Sequence, residues 1–186
     1  MLHQIITLLL QVIIGLVSGA CLLRLYLQHQ RIGFSARYGN PLGPFIFALT
    51  DWLVLPLRRV IPAVGRWDTA SLLGAFLLQL LQSGILWVLA GAPGPVGWLL
   101  LTAAFGLAQL AISGASALVI VVAVLSWVQT QSPLADLLGR LVAPWLAPIR
   151  RIVPLVGGVD LSPLVLLVLL QIAGIVLDQT LRSLLS

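Results

Sequence analysis

The sequence predicts an all-α membrane protein with four transmembrane helices, and three features lead to that prediction. Hydrophobic residues make up 60% of the 186 residues, and the mean hydropathy is +1.13. Only 8% of the residues are charged, against the roughly 25% that is usual in soluble domains. Four apolar stretches each reach the roughly 20 residues that a helix needs to cross a bilayer.

These four apolar stretches cover residues 5–27, 70–90, 98–128 and 161–181. The first is longer than the apolar part of a signal peptide and follows no basic segment, so we interpret it as a retained span. Residues 91–97, GAPGPVG, carry no charge and are rich in residues that end helices, which predicts a short turn between the second and third spans. The third stretch is long enough to tilt or to protrude from the bilayer.

Arginine placement predicts the orientation of the chain. Every basic residue is an arginine and every acidic residue is an aspartate. Most arginines lie in the connections between spans one and two and between spans three and four: Arg31, Arg37, Arg58, Arg59 and Arg66, then Arg140, Arg150 and Arg151. Basic residues in short loops stay in the cytoplasm. We therefore expect both connections to be cytoplasmic and both chain ends to be external, with Arg24 extending from the inner end of span one to the membrane surface.

Each of these two connections contains a segment that is too apolar for a solvent-exposed loop and too short to cross the bilayer as a helix. The segments are residues 41–57 and 133–149, and they predict amphipathic helices that lie at the membrane interface or dip into it. In the second segment, Asp136 and Arg140 are spaced to pair on one helix face. Trp52 and Trp145 suit the headgroup boundary.

A phrase that occurs twice divides the chain into two units. LPLRRVIPAVGRWD, residues 55–68, reappears as APIRRIVPLVGGVD, residues 147–160, at a shift of 92 positions from Arg58 to Arg150. We predict two repeats of helix, motif and helix within one membrane domain, residues 1–92 and 93–186. Because an even number of spans separates equivalent points, the repeats enter the membrane in the same direction, as parallel repeats do.

The residue types in the phrase predict a constrained segment. The prolines should prevent an uninterrupted helix through the phrase, the glycines permit a turn with positive φ, and the aspartates cap the spans that follow. These structural residues are Pro56, Pro62, Gly65 and Asp68 in the first copy and Pro148, Pro154, Gly157 and Asp160 in the second.

The paired arginines have two interpretations. They are Arg58 and Arg59 in the first copy and Arg150 and Arg151 in the second. In one interpretation they only fix the topology and touch lipid phosphates, as basic residues near spans do. In the other, the two motifs meet near a pseudo-twofold axis as a polar site, and the planar guanidinium groups pair with Asp68 and Asp160 or bind an external anion.

The two copies also carry a resemblance to a known family. PLRRVIPAVGRWD and PIRRIVPLVGGVDLSP, each followed by an apolar helix that contains a glutamine, closely resemble the YggT family of bacterial inner-membrane proteins. The resemblance implies a small multi-pass protein of the inner membrane, linked to osmotic or extracytoplasmic stress. Relatives are associated with cell division, nucleoid or envelope organisation, and haem attachment to a membrane cytochrome. The resemblance implies no agreed biochemical activity for the chain.

The remaining residues favour a protein that is not an enzyme and holds no metal or cofactor. Catalysis and metal binding need clustered His, Cys, Asp or Glu, and the two histidines, His3 and His29, fall at opposite ends of the first span. Asp178 is expected near Arg182, and Gln79 and Gln171 are placed to hydrogen-bond across the two copies.

We therefore expect a scaffold or assembly factor in stress response or envelope organisation. Its expected partners are anionic lipid headgroups and a membrane protein or a second copy of the chain, with no directly bound nucleic acid. The alternative is a small ion or solute conduit.

Overall fold

The computed structural model describes residues 2–34, 40–61, 67–92, 94–128, 132–153 and 160–185, with the backbone alone at residues 2, 3 and 127. All regular elements in this part of the chain are α-helices. They are α1 (Leu2–His29), α2 (Gly43–Val60), α3 (Thr69–Leu89), α4 (Trp98–Val128), α5 (Pro133–Arg150) and α6 (Ser162–Leu185). The predicted all-α class is confirmed.

Four of these helices are long and apolar enough to cross a membrane, as predicted. The qualifying segments are Gln4–His29 in α1, Thr69–Leu89 in α3, Trp98–Ser126 in α4 and Ser162–Leu185 in α6. Helices α1 and α3 pack against each other, as do α4 and α6, and α3 packs against α4. Most of the surface of α4 and α6 remains uncovered by the rest of the chain.

The two connections expected to be amphipathic form the shorter helices α2 and α5, of 18 residues each. In α2 the buried residues Ile46, Thr50 and Val54 recur every four positions, which places them on one face. Helix α2 packs against α1 and α3, and α5 packs against α4 and α6. The same order of long, short and long helix thus occurs in each half of the chain. The parallel repeat and the depth of α2 and α5 in a bilayer stay predictions.

Prolines lie within both short helices, and each helix ends inside the repeated phrase, so no helix runs uninterrupted through it, as expected; Pro56 and Pro148 themselves do not end the helix. Helix α2 continues past Pro56 to Val60, and α5 continues past Pro148 to Arg150. A proline near a helix end removes one backbone hydrogen bond, and both rings face outward, where neighbouring helices do not restrict them. Pro62, Gly65, Pro154 and Gly157 lie outside the described residues.

A hydrophobic core joins the two halves. Leu27 of α1, Ile46 of α2, and Leu138 and Leu141 of α5 belong to one buried cluster, against which apolar residues of α4 also pack. Tyr26 of α1 reinforces it: its hydroxyl donates to the Leu141 carbonyl oxygen over 2.8 Å, and its ring stacks on Trp145 at 5.0 Å between centroids. The short helices are therefore packed into one body with the spans.

Candidate functional site

Asp68, directly before α3, is a fully buried carboxylate that accepts bonds from two elements. It caps α3, because Oδ1 accepts from the Ser71 backbone N at 3.4 Å and Oδ2 accepts from Ser71 Oγ at 2.6 Å. From the end of α2, Arg58 donates Nε to Oδ1 at 3.3 Å and Nη2 to Oδ2 at 2.5 Å. This two-pronged pairing fixes the end of α2 to the start of α3.

Arg24 of α1 completes the charge cluster. Its side chain is 3% exposed, and Nη1 donates to Thr50 Oγ1 at 2.7 Å and to Asp51 Oδ1 at 2.6 Å. Its Nε lies 3.7 Å from Asp68 Oδ2, and its guanidinium lies over the Phe47 ring at 4.8 Å. We call Arg24, Asp51, Arg58 and Asp68 the charge cluster. It connects α1, α2 and α3.

The expectation that Arg24 extends to the membrane surface is wrong. Two carboxylates lie within reach, Asp68 fully buried and Asp51 39% exposed, and a buried charge that is paired and hydrogen-bonded avoids much of the cost of desolvation. Sequence reasoning placed Asp68 but missed Arg24 and Asp51 as members of one site. The available signal was an arginine within a predicted span, because an ionisable residue there needs a partner.

Electrostatics keep Asp68 ionised despite its burial. Burial alone raises the pKa of the carboxyl group, but hydrogen bonds from Arg58 and Ser71 and the positive charge of Arg58 outweigh it. The resulting pKa lies below the ordinary aspartate value. The cluster is thus a set of matched charges at the cytoplasmic ends predicted for α1 and α3.

The second copy of the phrase forms the same kind of pair in a more open setting. Arg150 Nε donates to Asp160 Oδ2 at 2.8 Å, and Asp160 Oδ1 accepts from the Ser162 backbone N at 2.9 Å. Burial raises the pKa of Asp160, whereas bonds from Ser162 and Arg150 lower it by more, so the pKa again lies below the ordinary value. The first arginine of each phrase therefore holds the aspartate before the next span.

The second arginine of each phrase has a different environment. Arg59 lies in the last turn of α2, Arg151 directly follows α5, and both side chains are exposed. Neither forms an ion pair with any residue that the structure describes. Exposed apolar neighbours follow both arginines, Val60 after Arg59 and Ile152 after Arg151. Of the four candidate arginines, these two are oriented outward and remain available to a partner.

Other pairs proposed from the sequence have mixed outcomes. Asp178 accepts from Arg182 at 2.8 Å, which confirms that they are neighbours. No ion pair within 4.0 Å joins Asp136 to Arg140. Gln79 lies against Gly106 of α4 and forms no hydrogen bond with Gln171, so that proposed contact between the copies is wrong.

The described residues also bear on metal binding. Within those ranges, no three His, Cys, Asp or Glu side chains are grouped where they could hold a metal ion. His29 packs against Trp67, with ring centroids 4.6 Å apart, and Cys21 is a buried free cysteine.

Comparison with known proteins gives the chain a family. The sequence model of the CCB3/YggT family matches residues 3–89 and 101–181. "Uncharacterized protein YggT" of Escherichia coli K12 is 34% identical over 183 residues, which cover 96% of this chain and 92% of the relative. "Uncharacterized protein in proC 3'region" of Vibrio alginolyticus is 40% identical over 158 residues, 82% of each chain. No solved structure matches. The chain belongs to the CCB3/YggT family.

Proposed function

We propose that this chain is a multi-pass protein of the bacterial inner membrane that acts, without catalysis, as a scaffold or assembly factor at the cytoplasmic membrane surface. Its role is in the osmotic or extracytoplasmic stress response or in envelope organisation. Family membership, four apolar helices and the concentration of arginine in the α1–α3 and α4–α6 connections support this proposal.

The proposal rests on one observation: in each arginine pair, the first arginine binds an aspartate and the second is exposed without an ion pair in the described residues. Arg58 and Arg150 are bound to aspartates, which holds the ends of α2 and α5 against the spans. Arg59 and Arg151 are thereby presented outward from fixed helix ends. A guanidinium group can bind a phosphate through two parallel hydrogen bonds, so anionic lipid headgroups are the partner that this arrangement suits.

Exposed apolar side chains on α2 support the same placement. Phe45, Trp52 and Leu55 are each at least half exposed. Such side chains next to a basic residue are typical of helices that lie in the interface between headgroups and acyl chains. A membrane-bound helix with an outward arginine is suited to organise lipid or a protein partner near the bilayer.

The proposal can be tested with Arg59→Gln and Arg151→Gln combined. We expect the purified double variant to retain several-fold less phosphatidylglycerol or cardiolipin than the wild type, measured by native mass spectrometry. Cells that carry it should grow poorly after osmotic upshift at normal protein abundance. Arg31→Gln is the matched control, since it removes another exposed arginine of the same connection, outside the repeated phrase. Wild-type lipid retention and growth in the double variant would contradict the proposal.

Orientation can be tested separately by labelling with an impermeant thiol reagent in a Cys21→Ala background. A cysteine introduced at exposed Arg59 should react only after the membrane is permeabilised, and one at exposed Gly91 should react in intact spheroplasts. Labelling of the Arg59 position from outside would reverse the proposed topology.

A second candidate function, ion or solute conduction, is favoured by one observation. Polar side chains, among them Gln109 and Gln171, line a groove between α4 and α6. Flux through purified protein in liposomes, lost in Gln171→Leu, would support conduction over the scaffold role.

A further inference from the structure

The groove between α4 and α6 carries several polar side chains within segments long and apolar enough to span a membrane. Its volume is about 600 Å³. Its lining includes polar side chains of both helices and one buried glycine: Gln109, Ser113 and Ser116 on α4, and Gln171, Gly174 and Asp178 on α6. On α6 these positions follow helical spacing, so they form a single stripe along the helix.

Three polar side chains of this groove lack hydrogen-bond partners within the described residues. Gln109, Ser113 and Gln171 are exposed, and none of their side chains forms a hydrogen bond with another residue in the ranges that the structure describes. Acyl chains offer no hydrogen bonds, so leaving two amides and a hydroxyl against them is costly. A group that can hydrogen-bond must therefore cover this face.

A second cavity of similar size has an apolar lining and so contrasts with the α4–α6 groove. The cavity of about 630 Å³ beside α1 and α4 is lined mostly by apolar residues, such as Gly15, Leu23, Ala111 and Leu118. Lipid acyl chains suffice to fill such a surface. The α4–α6 groove differs because its lining demands hydrogen-bonding partners.

We propose that the α4–α6 face is the interface of a homodimer whose twofold axis is parallel to the membrane normal. Copies inserted in the same direction present groups of equal depth to each other, so the polar groups of one copy can meet polar groups of the other. Glutamine and serine are both donors and acceptors and can pair with themselves. Gly174 lies buried against Gln109 and Ile112, so it brings α4 and α6 of one copy close together and places their polar groups on one face.

Charge near the end of α6 is also self-complementary. Asp178 and Arg182 lie four residues apart, 2.8 Å between Oδ2 and Nη2, and both are exposed. Across a twofold axis, each aspartate would face the arginine of the other copy and each arginine the other aspartate. Both signs on one patch favour a second copy over a partner of a single charge.

The test is single-molecule photobleaching of labelled protein in lipid vesicles across a range of protein-to-lipid ratios. The wild type should be dimeric. Gln109→Leu combined with Gln171→Leu should weaken dimerisation at least about tenfold, because several interhelical hydrogen bonds are lost. Gln82→Leu, on α3 and outside the groove, is the matched control and should dimerise as the wild type does.

A second measurement keeps the proposal testable if the double variant inserts poorly. In a Cys21→Ala background, Ser113→Cys should give a cross-linked homodimer with a short bis-maleimide in native membranes. Leu169→Cys, exposed on α6 but outside the groove, should not. Wild-type protein that is monomeric at every ratio, equal cross-linking of the two cysteines, or unweakened dimers of the double variant would each overturn the proposal. So would conduction by a monomer that requires Gln171.

Discussion

The two halves of the molecule place the same sequence phrase in different environments. In the first half, the Asp68 side chain is fully buried and its partner Arg58 is 35% exposed. In the second half, Asp160 is 30% exposed and Arg150 is 53% exposed. The phrase fixes the pairing of arginine with aspartate, but it does not fix how deeply the pair is buried.

Neighbouring helices account for the difference. At the shift of 92 positions that aligns Arg58 with Arg150, Ser116 stands where Arg24 does, Val142 where Thr50 does and Ala143 where Asp51 does. The second half therefore has aliphatic or small residues in place of the polar groups that surround Asp68. Removing one partner of a buried ion pair strongly destabilises the fold, whereas an exposed pair contributes about 0–1 kcal/mol to the free energy of unfolding. We expect the first half to be the more sensitive to substitution.

The largest expected effect comes from Arg24→Ser, which introduces the residue of the second half. It should lower the free energy of unfolding by about 3 kcal/mol, because it leaves Asp51 without its cation, removes the buried hydrogen bond to Thr50 and leaves a cavity beside Asp68. Adding Thr50→Val and Asp51→Ala should restore part of this loss, because the unpaired Asp51 is then gone and Arg58 still neutralises Asp68. Unfolding in mixed micelles with increasing dodecyl sulfate measures the difference. A triple variant less stable than Arg24→Ser would show that the cluster is not a matched set of charges.

A smaller effect is expected from charge-conserving changes in the phrase. Arg58→Lys should destabilise by about 1–2 kcal/mol, because an ammonium group cannot reproduce the two bonds to Asp68 and the 3.2 Å bond to Gln28. Arg150→Lys should cost less than about 1 kcal/mol, since its pair is more exposed. The same unfolding titration compares the two variants. Equal losses would remove burial as the cause of the asymmetry.

The smallest effect is expected from pH. Both aspartates have a folded-state pKa below the ordinary value, so their stabilising contribution is present above the unfolded pKa near 4 and is lost as pH falls through the folded pKa. Stability should therefore decline below about pH 4. Asp68→Asn should flatten this decline, and an unchanged acid slope would mean that Asp68 does not titrate as described.

The spans were predictable from the sequence because their signal is local. A run of about 20 apolar residues specifies a membrane helix without knowledge of its neighbours. The amphipathic character of α2 and α5 followed from similarly local patterns. The course of these helices past Pro56 and Pro148 was not predictable, because it depends on whether packing compensates for a missing backbone bond.

The site was predictable only in part for a related reason. Asp68 and Asp160 lie just before spans, where capping carboxylates are favoured, and the structure finds both at such positions. The association of Arg24 with Asp51 joins residues 27 positions apart on different helices. Helix packing decides that contact, and the spacing along the chain does not reveal it. Which arginine of the pair binds an aspartate also depends on the helix: Arg58 pairs with Asp68 and Arg59 is exposed because they lie on different sides of α2.

The most direct test of the asymmetry is a pair of double-mutant cycles. One combines Arg58→Gln with Asp68→Asn, the other Arg150→Gln with Asp160→Asn, and both are measured by unfolding in mixed micelles. We predict a coupling free energy of about 2 kcal/mol or more for the first pair and at most about 1 kcal/mol for the second. Equal coupling in the two cycles, or stronger coupling at Asp160, would contradict the claim that the first half contains the structural charge cluster.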